Sequence, residues 1–155
     1  MNHTRLENVD VAVINFMKKI SLPIAHIAIF IVFFWFGILK IVAESPANPL
    51  IADLLEKTLP LITFDQFIVL FGIYEMVIGV AFLVPGLERL AILLLIPHMI
   101  TTVLPLILLP AVTWQSWFVP TLEGQYIIKN IIIIALALSL VAHLRPIILN
   151  HKNSK

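Results

Sequence analysis

The side chains of this chain that are able to do chemistry lie within or near long apolar runs, where a charge is costly. Glu75 lies in a run that is otherwise without charge from Phe67 to Val84. A carboxylate at the centre of a membrane helix costs about 2.5–3.5 kcal/mol on insertion scales. Glu75 therefore needs a partner inside the protein.

Lys40, near the end of the preceding apolar run, is the predicted partner of Glu75. Glu75 lies about 13 Å into its own run at about 1.5 Å per residue. Side chains on a helix tilt toward its N-terminus. The two helices run in opposite directions, so these two side chains lean toward each other. We predict a Lys40–Glu75 ion pair, direct or through water. The alternative is that Lys40 bends to the membrane surface.

Lys129, followed by Asn130, lies about one turn into the last apolar run, at the same end of the bundle as Lys40. The sequence therefore predicts one polar pocket, lined by Lys40, Glu75 and Lys129, that opens to the outer side. Two lysines against one carboxylate favour an anionic or carbonyl-bearing guest such as a quinone head group. The alternative is that an acid of the outer loops satisfies Lys129, either Glu44 or Glu123.

His98 lies at nearly the depth of Glu75 in the third apolar run, beside Pro97. Proline lacks an N–H group, so Pro97 leaves the Leu93 carbonyl without its helical donor. We expect His98 to be a core histidine bonded to a backbone carbonyl. The alternatives are a partner for Glu75, a proton relay or a hydrogen-bond donor to a quinone.

His26 and His143 lie near the cytoplasmic ends of the first and last runs. Two histidines on facing helices are able to ligate a haem. Both residues are close to the membrane surface, where polar residues are ordinary, so we do not expect haem.

Composition defines the class of protein. Of the 155 residues, 61% are hydrophobic and 12% are charged, which is typical of an integral membrane protein. The formal net charge of +1 gives no indication of nucleic-acid binding. The absence of cysteine excludes disulfides, thiol nucleophiles and cysteine-ligated metals. No nucleotide, zinc or serine-hydrolase motif is present, and we predict no metal site and name no catalytic residue. A redox role would therefore need a bound cofactor or a partner.

Four runs are long enough to cross about 30 Å of hydrocarbon. They predict an all-α integral membrane protein, in which residues 1–155 form a single transmembrane domain built as a four-helix bundle. The predicted spans are about 22–43, 66–84, 90–110 and 126–144. Short amphipathic helices are predicted at the membrane surface, one about 9–20 and one within residues 44–65. The connection 111–125 carries three aromatic residues, Trp114, Trp117 and Phe118. They predict an aromatic belt at the membrane surface.

The placement of basic residues predicts the orientation. Loops on the cytoplasmic side of a membrane carry an excess of lysine and arginine. One side of this bundle has Arg5, Lys18, Lys19, Arg89, Arg145, Lys152 and Lys155. The loops of the other side have only Lys57. We predict that both termini are cytoplasmic.

Gly72, Gly79 and Gly86 recur every seven residues and are predicted to share a helix face with Glu75. Small residues let another helix backbone approach closely. We therefore expect this face to lie inside the bundle. The alternative is that the glycines serve packing alone.

Several stretches resemble the DoxX-like membrane proteins, and most closely the RclC/YkgB-like family of inner-membrane proteins tied to reactive-chlorine resistance. They are "FFWFGILK", "SPANPL", "YEMVIG", "WFVP" and "YIIKN". The resemblance covers all four spans and implies a four-helix bundle in the bacterial cytoplasmic membrane. It also implies a link to quinone-dependent oxidoreductases and to protection against oxidants. In that closest family an acid follows the fourth-span lysine, whereas Asn130 stands here.

Three hypotheses for function follow. The first is a redox-linked component that binds quinone, or docks on a quinone-linked oxidoreductase, and helps the cell survive oxidants. The second is a non-catalytic structural subunit or assembly factor of a membrane complex. The third is a small proton-coupled transporter. We do not expect a stand-alone enzyme. The partners we expect are the lipid bilayer and either a second copy of the chain or a membrane redox protein.

Overall fold

A computed structural model describes residues 3–42, 44–144 and 146, with side chains from Leu6 onward. Seven helices and one short hairpin make up the described chain. Their bounds are α1 His3–Ile41, α2 Asn48–Thr58, α3 Phe64–Leu83, α4 Glu88–Val103, α5 Pro105–Leu108, α6 Pro110–Thr113, β1 Trp114–Ser116, β2 Val119–Pro120 and α7 Leu122–Ala142. The basic residues Arg145, Lys152 and Lys155, and Ala43 at the predicted end of the first span, lie outside the described residues.

Four helical segments are long and apolar enough to cross a membrane: Leu6–Ile41, Phe64–Leu83, Glu88–Leu108 and Leu122–Ala142. The prediction of an all-α, four-span membrane protein is confirmed. The side of the membrane on which the termini lie stays a prediction from the basic residues.

Helix α1 is longer than the predicted first span. It runs through 39 residues without a break and includes Pro23. At about 1.5 Å per residue it is about 58 Å long, well beyond the hydrocarbon thickness. The segment predicted as a lead-in helix at 9–20 is thus the first half of α1 rather than a separate element. Pro23 removes one helical hydrogen bond, because proline has no N–H group, and α1 continues through it.

The core forms where α1, α3, α4 and α7 meet. α1 packs most extensively on α3, α4 packs on α3, and α7 packs mainly on α4. The innermost side chains are aliphatic or aromatic, and Ile78, Phe82 and Ala91 are completely buried. α7 contributes the fewest core residues, Ala137 and Leu140. The α1–α3 pair is therefore the central contact of the bundle.

Glycines set the distance between α1 and α3. A Cβ atom added at Gly37 would lie 2.6 Å from the Gly72 carbonyl oxygen, and one added at Gly72 would lie 2.7 Å from the Gly37 oxygen. One added at Gly79 would lie 3.1 Å from the Phe30 oxygen. The predicted packing role of Gly72 and Gly79 is confirmed. Gly37, which faces them from α1, belongs to the same contact.

Gly86 does not share that helix face, contrary to the sequence prediction. α3 ends at Leu83, and Gly86 adopts a φ of 92° in the turn before α4. This left-handed conformation is one that glycine adopts without strain. The Gly86 amide donates to Glu88 Oε2 at 2.9 Å, which closes the turn.

The end of the bundle where α3 begins is built from short elements. α2 forms in the predicted segment, with Pro49 in its first turn, and Lys57 Nζ donates to the Leu108 carbonyl at 2.8 Å. The β1–β2 hairpin follows α6, with Phe118 at a φ of 57°. The Trp114 indole N–H donates to the Leu106 oxygen and holds the hairpin on α5. The sequence predicted only an aromatic connection here, because strands of two and three residues leave no period to recognise.

Substituting Gly72 with alanine is expected to destabilise the bundle by about 1–3 kcal/mol, the usual cost of overpacking a tight core. Its new methyl group would overlap the backbone of α1 at Gly37. Gly79→Ala should cost less, because its Cβ would meet α1 at 3.1 Å. Thermal melting of the purified proteins in one detergent measures the difference. A Gly72→Ala protein that melts at or above the parent temperature would contradict this account of the α1–α3 contact.

Candidate functional site

Three ionisable side chains from three helices meet inside the bundle. Lys40 of α1 donates from Nζ to Glu75 Oε2 of α3 at 2.6 Å. His98 of α4 places Nε2 at 2.9 Å from Glu75 Oε1. Each of the three residues is only 5% exposed. We call this group the Lys40–Glu75–His98 triad. The predicted Lys40–Glu75 pair is confirmed as a direct contact.

His98 differs from the sequence expectation. Its side chain bonds to Glu75 and not to a backbone carbonyl. An ionised carboxylate is an acceptor only, so Nε2 carries a hydrogen and donates it to Glu75. The other ring nitrogen, Nδ1, lies 3.4 Å from the Thr102 hydroxyl. The Thr102 hydroxyl gives its one hydrogen to the His98 carbonyl oxygen, so its longer contact with Nδ1 is a secondary one.

The backbone around His98 is held by side-chain hydroxyl groups. Thr101 and Thr102 both donate to the His98 carbonyl oxygen at 2.8 Å. The Tyr74 hydroxyl of α3 donates to the Leu94 carbonyl on the preceding turn. These bonds lie on either side of His98 in α4. They fix the imidazole relative to α3 and to Glu75.

Lys40 reaches Glu75 because α1 and α3 approach closely at their glycines. A Cβ atom added at Gly72 would lie 3.3 Å from Lys40 Cβ, so the lysine stem lies directly against the bare backbone of α3. Glu75 follows Gly72 by three residues and therefore lies on the same side of α3. The close helix contact and the ion pair are thus parts of one arrangement.

Aromatic rings surround the triad. The Phe71 ring stacks on the His98 imidazole with centroids 5.2 Å apart and planes 5° apart. Lys40 Nζ lies over the same Phe71 ring at 5.6 Å from its centroid. Phe33 meets His98 edge-on at 5.1 Å. These rings exclude solvent from the charges and add a cation–π contact to the ion pair.

The sequence analysis did not single out Phe33 or Phe71, although a signal for each was present. Phe71 precedes Glu75 by four residues, and Phe33 precedes Lys40 by seven. Both spacings put the ring on the same helix face as the charge. In a run this rich in aromatics, however, such spacings are common, and only the three-dimensional contact distinguishes these two phenylalanines from the others.

Lys129 lies apart from the triad, contrary to the predicted three-residue pocket. It is exposed on α7, and its Nζ lies over the Tyr126 ring at 5.2 Å from the centroid. Asn130 beside it is half-buried and makes no hydrogen bond to the triad within the described residues. α7 packs mainly on α4 rather than on α1 or α3, and this explains why its lysine does not reach Glu75.

The triad is closed in this structure. Two clefts in the described part of the chain lie elsewhere. One, of about 380 Å³, is an apolar groove that includes Phe34, Met76 and Val80. The other, of about 300 Å³, includes Arg89, Ile92 and Val141. The predicted outward-opening pocket at Lys40 and Glu75 is therefore not an open cavity.

His26 and His143 each bond within their own helix. The Nδ1 atom of His26 lies 2.8 Å from the Leu22 carbonyl oxygen, and that of His143 lies 2.7 Å from the Ser139 oxygen. No group of three or more histidine, aspartate or glutamate side chains suited to a metal ion occurs among the described residues.

The fold and the triad define a four-span membrane protein with a buried ionisable cluster between its first three spans. No family model, curated protein or solved structure matches this chain. Chemically, the triad is able to hold a proton on His98 or Glu75 and to offer N–H donors from Lys40 in a dry environment.

Removing one partner of the ion pair should destabilise the protein more than removing both. Lys40→Met leaves the Glu75 carboxylate buried without its cation. Glu75→Met leaves the Lys40 ammonium buried without its anion. Each single change is expected to cost about 3–5 kcal/mol, whereas a buried pair replaced by apolar residues is often tolerated. Melting temperatures of both single variants and the double variant in detergent test this.

Lys129→Met is the matched control for Lys40→Met, because it removes an exposed lysine from a span without stranding a buried acid. It should melt close to the parent. If the double variant loses as much stability as the two single variants summed, the two charges do not interact in the folded protein.

Proposed function

We propose that this chain is a DoxX-like protein of the bacterial cytoplasmic membrane that acts as a redox-linked component in resistance to oxidants. It binds a quinone or docks on a quinone-linked oxidoreductase, and it is not a stand-alone enzyme. Both termini face the cytoplasm. The residues on which the resemblance rests include Gly37, Lys40, Glu75 and Gly79, and all four lie at the α1–α3 contact.

The observation that carries the proposal is the triad itself. Three ionisable side chains, each 5% exposed, converge between spans rich in aliphatic residues. Ionisable residues inside membrane spans are costly, and they mark proton, ion or substrate sites more often than they add stability. An acid, an imidazole and an ammonium in direct contact are the groups that bind and protonate a carbonyl compound.

The structural-subunit hypothesis is the second candidate, and one observation favours it. Within the described residues each triad side chain has a hydrogen-bond partner inside the triad, and neither of the two clefts described above opens on it. In that case the triad sets the register of α1, α3 and α4, and the outer connections dock a partner.

Proton-coupled transport is the third candidate. Glu75 and His98 are 2.9 Å apart and form a possible pair for passing a proton. Proton or solute flux into liposomes that contain the purified protein tests it directly, and an absence of flux would remove it.

Glu75→Gln separates the first two candidates, because glutamine nearly matches glutamate in shape and carries no charge. We expect the variant to accumulate in the membrane and to melt near the parent, while cells that carry it lose protection against hypochlorite. The measurements are membrane yield, melting temperature in detergent, and survival under hypochlorite beside the parent and a strain without the protein. Glu123→Gln, which changes an exposed acid at the start of α7, is the matched control.

The opposite result would favour the structural candidate. If Glu75→Gln melts early and survival falls only in proportion to the amount of protein, then Glu75 serves the fold. The redox proposal would then lose its main support.

A further inference from the structure

Lys40 has more hydrogen-bond donors than the protein uses. An ammonium group carries three N–H donors. Within the described residues, Nζ meets one oxygen acceptor, Glu75 Oε2, and otherwise faces the Phe71 ring. Lys40 is 5% exposed, so bulk water does not supply the missing acceptors. Buried donors are usually paired, so the two spare N–H groups of Lys40 are available to an acceptor from outside the chain, an ordered water or a ligand.

The charges around Lys40 select the kind of acceptor. Glu75 already neutralises the Lys40 ammonium, and its other oxygen is bonded to His98 Nε2. An anionic ligand would be repelled by the Glu75 carboxylate and would bring an unbalanced charge into an apolar interior. A neutral carbonyl oxygen accepts a hydrogen bond from Nζ without either penalty.

The position of the Phe71 ring indicates that a flat ring fits beside the triad. Its ring lies parallel to the His98 imidazole at 5.2 Å and nearly parallel to Phe67 at 5.5 Å, and it covers Lys40 Nζ. Phe71 is only half-buried, so part of its ring faces away from the core and toward the bilayer. It is therefore a partly exposed ring that contacts both Lys40 and His98. A flat ring that replaced it would keep the stacking on His98.

We propose that Lys40 and Phe71 form a gated site for a neutral, membrane-soluble carbonyl compound with a flat ring, the chemical class of the quinones. Phe71 swings toward the bilayer, the ligand ring takes its place against His98, and a ligand carbonyl accepts a hydrogen bond from Lys40 Nζ. This proposal rests on the proposed function and adds the binding atoms, the charge of the ligand and the route of entry.

The test uses the full chain in lipid nanodiscs and a benzoquinone that carries a photoreactive azido group. After illumination, mass spectrometry locates the labelled peptides. We expect labels on the segments of α1 and α3 around Lys40 and Phe71, and we expect excess decylubiquinone to remove them. Labels confined to other segments, such as the apolar groove that includes Phe34 and Val80, would overturn the proposal.

Two variants test the Lys40 donor. Lys40→Met alone leaves Glu75 unpaired, so Lys40→Met combined with Glu75→Gln is used as a second variant without a stranded charge. Both should lose labelling by about tenfold or more, the effect of one hydrogen bond from a charged donor. Lys129→Met, outside the triad, should label like the parent. Undiminished labelling of a folded double variant would overturn the role of Lys40.

Phe71→Leu tests the gate while leaving the triad intact. The smaller side chain no longer covers Lys40, so the concentration of quinone needed for half-maximal labelling should fall several-fold. Phe36→Leu, which makes the same change at an exposed ring of α1, is the matched control and should change it little. A Phe71→Leu protein that labels only at higher quinone concentration than the parent would show that Phe71 is not a gate.

The binding test and the survival test fail in different ways. If the quinone does not label the triad but Glu75 is still needed for protection against hypochlorite, the gated site is wrong and docking on a partner stands. If the quinone labels the triad but Glu75→Gln protects cells as well as the parent, the site exists and the role in oxidant resistance is wrong.

Discussion

The Lys40–Glu75 ion pair is the constraint on which the arrangement of the first three spans depends. Neither charge is tolerable alone at 5% exposure in a membrane-embedded core, so α1 and α3 have one acceptable register. His98 extends the same constraint to α4 by bonding the second oxygen of Glu75. One carboxylate therefore ties three helices together, and α7, which contributes nothing to the triad, is the one of the four spanning helices with the fewest core residues.

The glycine contact and the ion pair require each other. Gly37 and Gly72 bring the backbones close enough for the Lys40 stem to lie on α3, as no residue with a Cβ would allow. Once the helices are that close, the lysine has little room to turn toward the membrane surface, and Glu75 is the acceptor within reach. Packing thus decides between the two alternatives for Lys40 that sequence reasoning left open.

The features that could be predicted from the sequence are those that depend on the spacing of residues along the chain. Apolar length predicts the four spans, and helix direction with side-chain tilt predicts the meeting of Lys40 and Glu75. The partner of His98 and the exclusion of Lys129 depend on how the helices rotate and which of them are neighbours. That choice is made by shape complementarity across the core. The continuous α1 was missed for another reason, because a change from mixed to apolar composition resembles a helix boundary although the backbone continues.

The triad is closed in this structure, but a binding site is compatible with it because one of the rings that cover it, Phe71, is only partly buried. Both oxygens of Glu75 are bonded, one to Lys40 and one to His98, whereas Phe71, a half-buried ring, contacts both Lys40 and His98. Stacking contacts are worth about 0.5–1.5 kcal/mol, and a flat ligand ring supplies an equal replacement. A displacement of Phe71 would leave the ion pair in place between the helices, and this is the property that the proposed binding site needs.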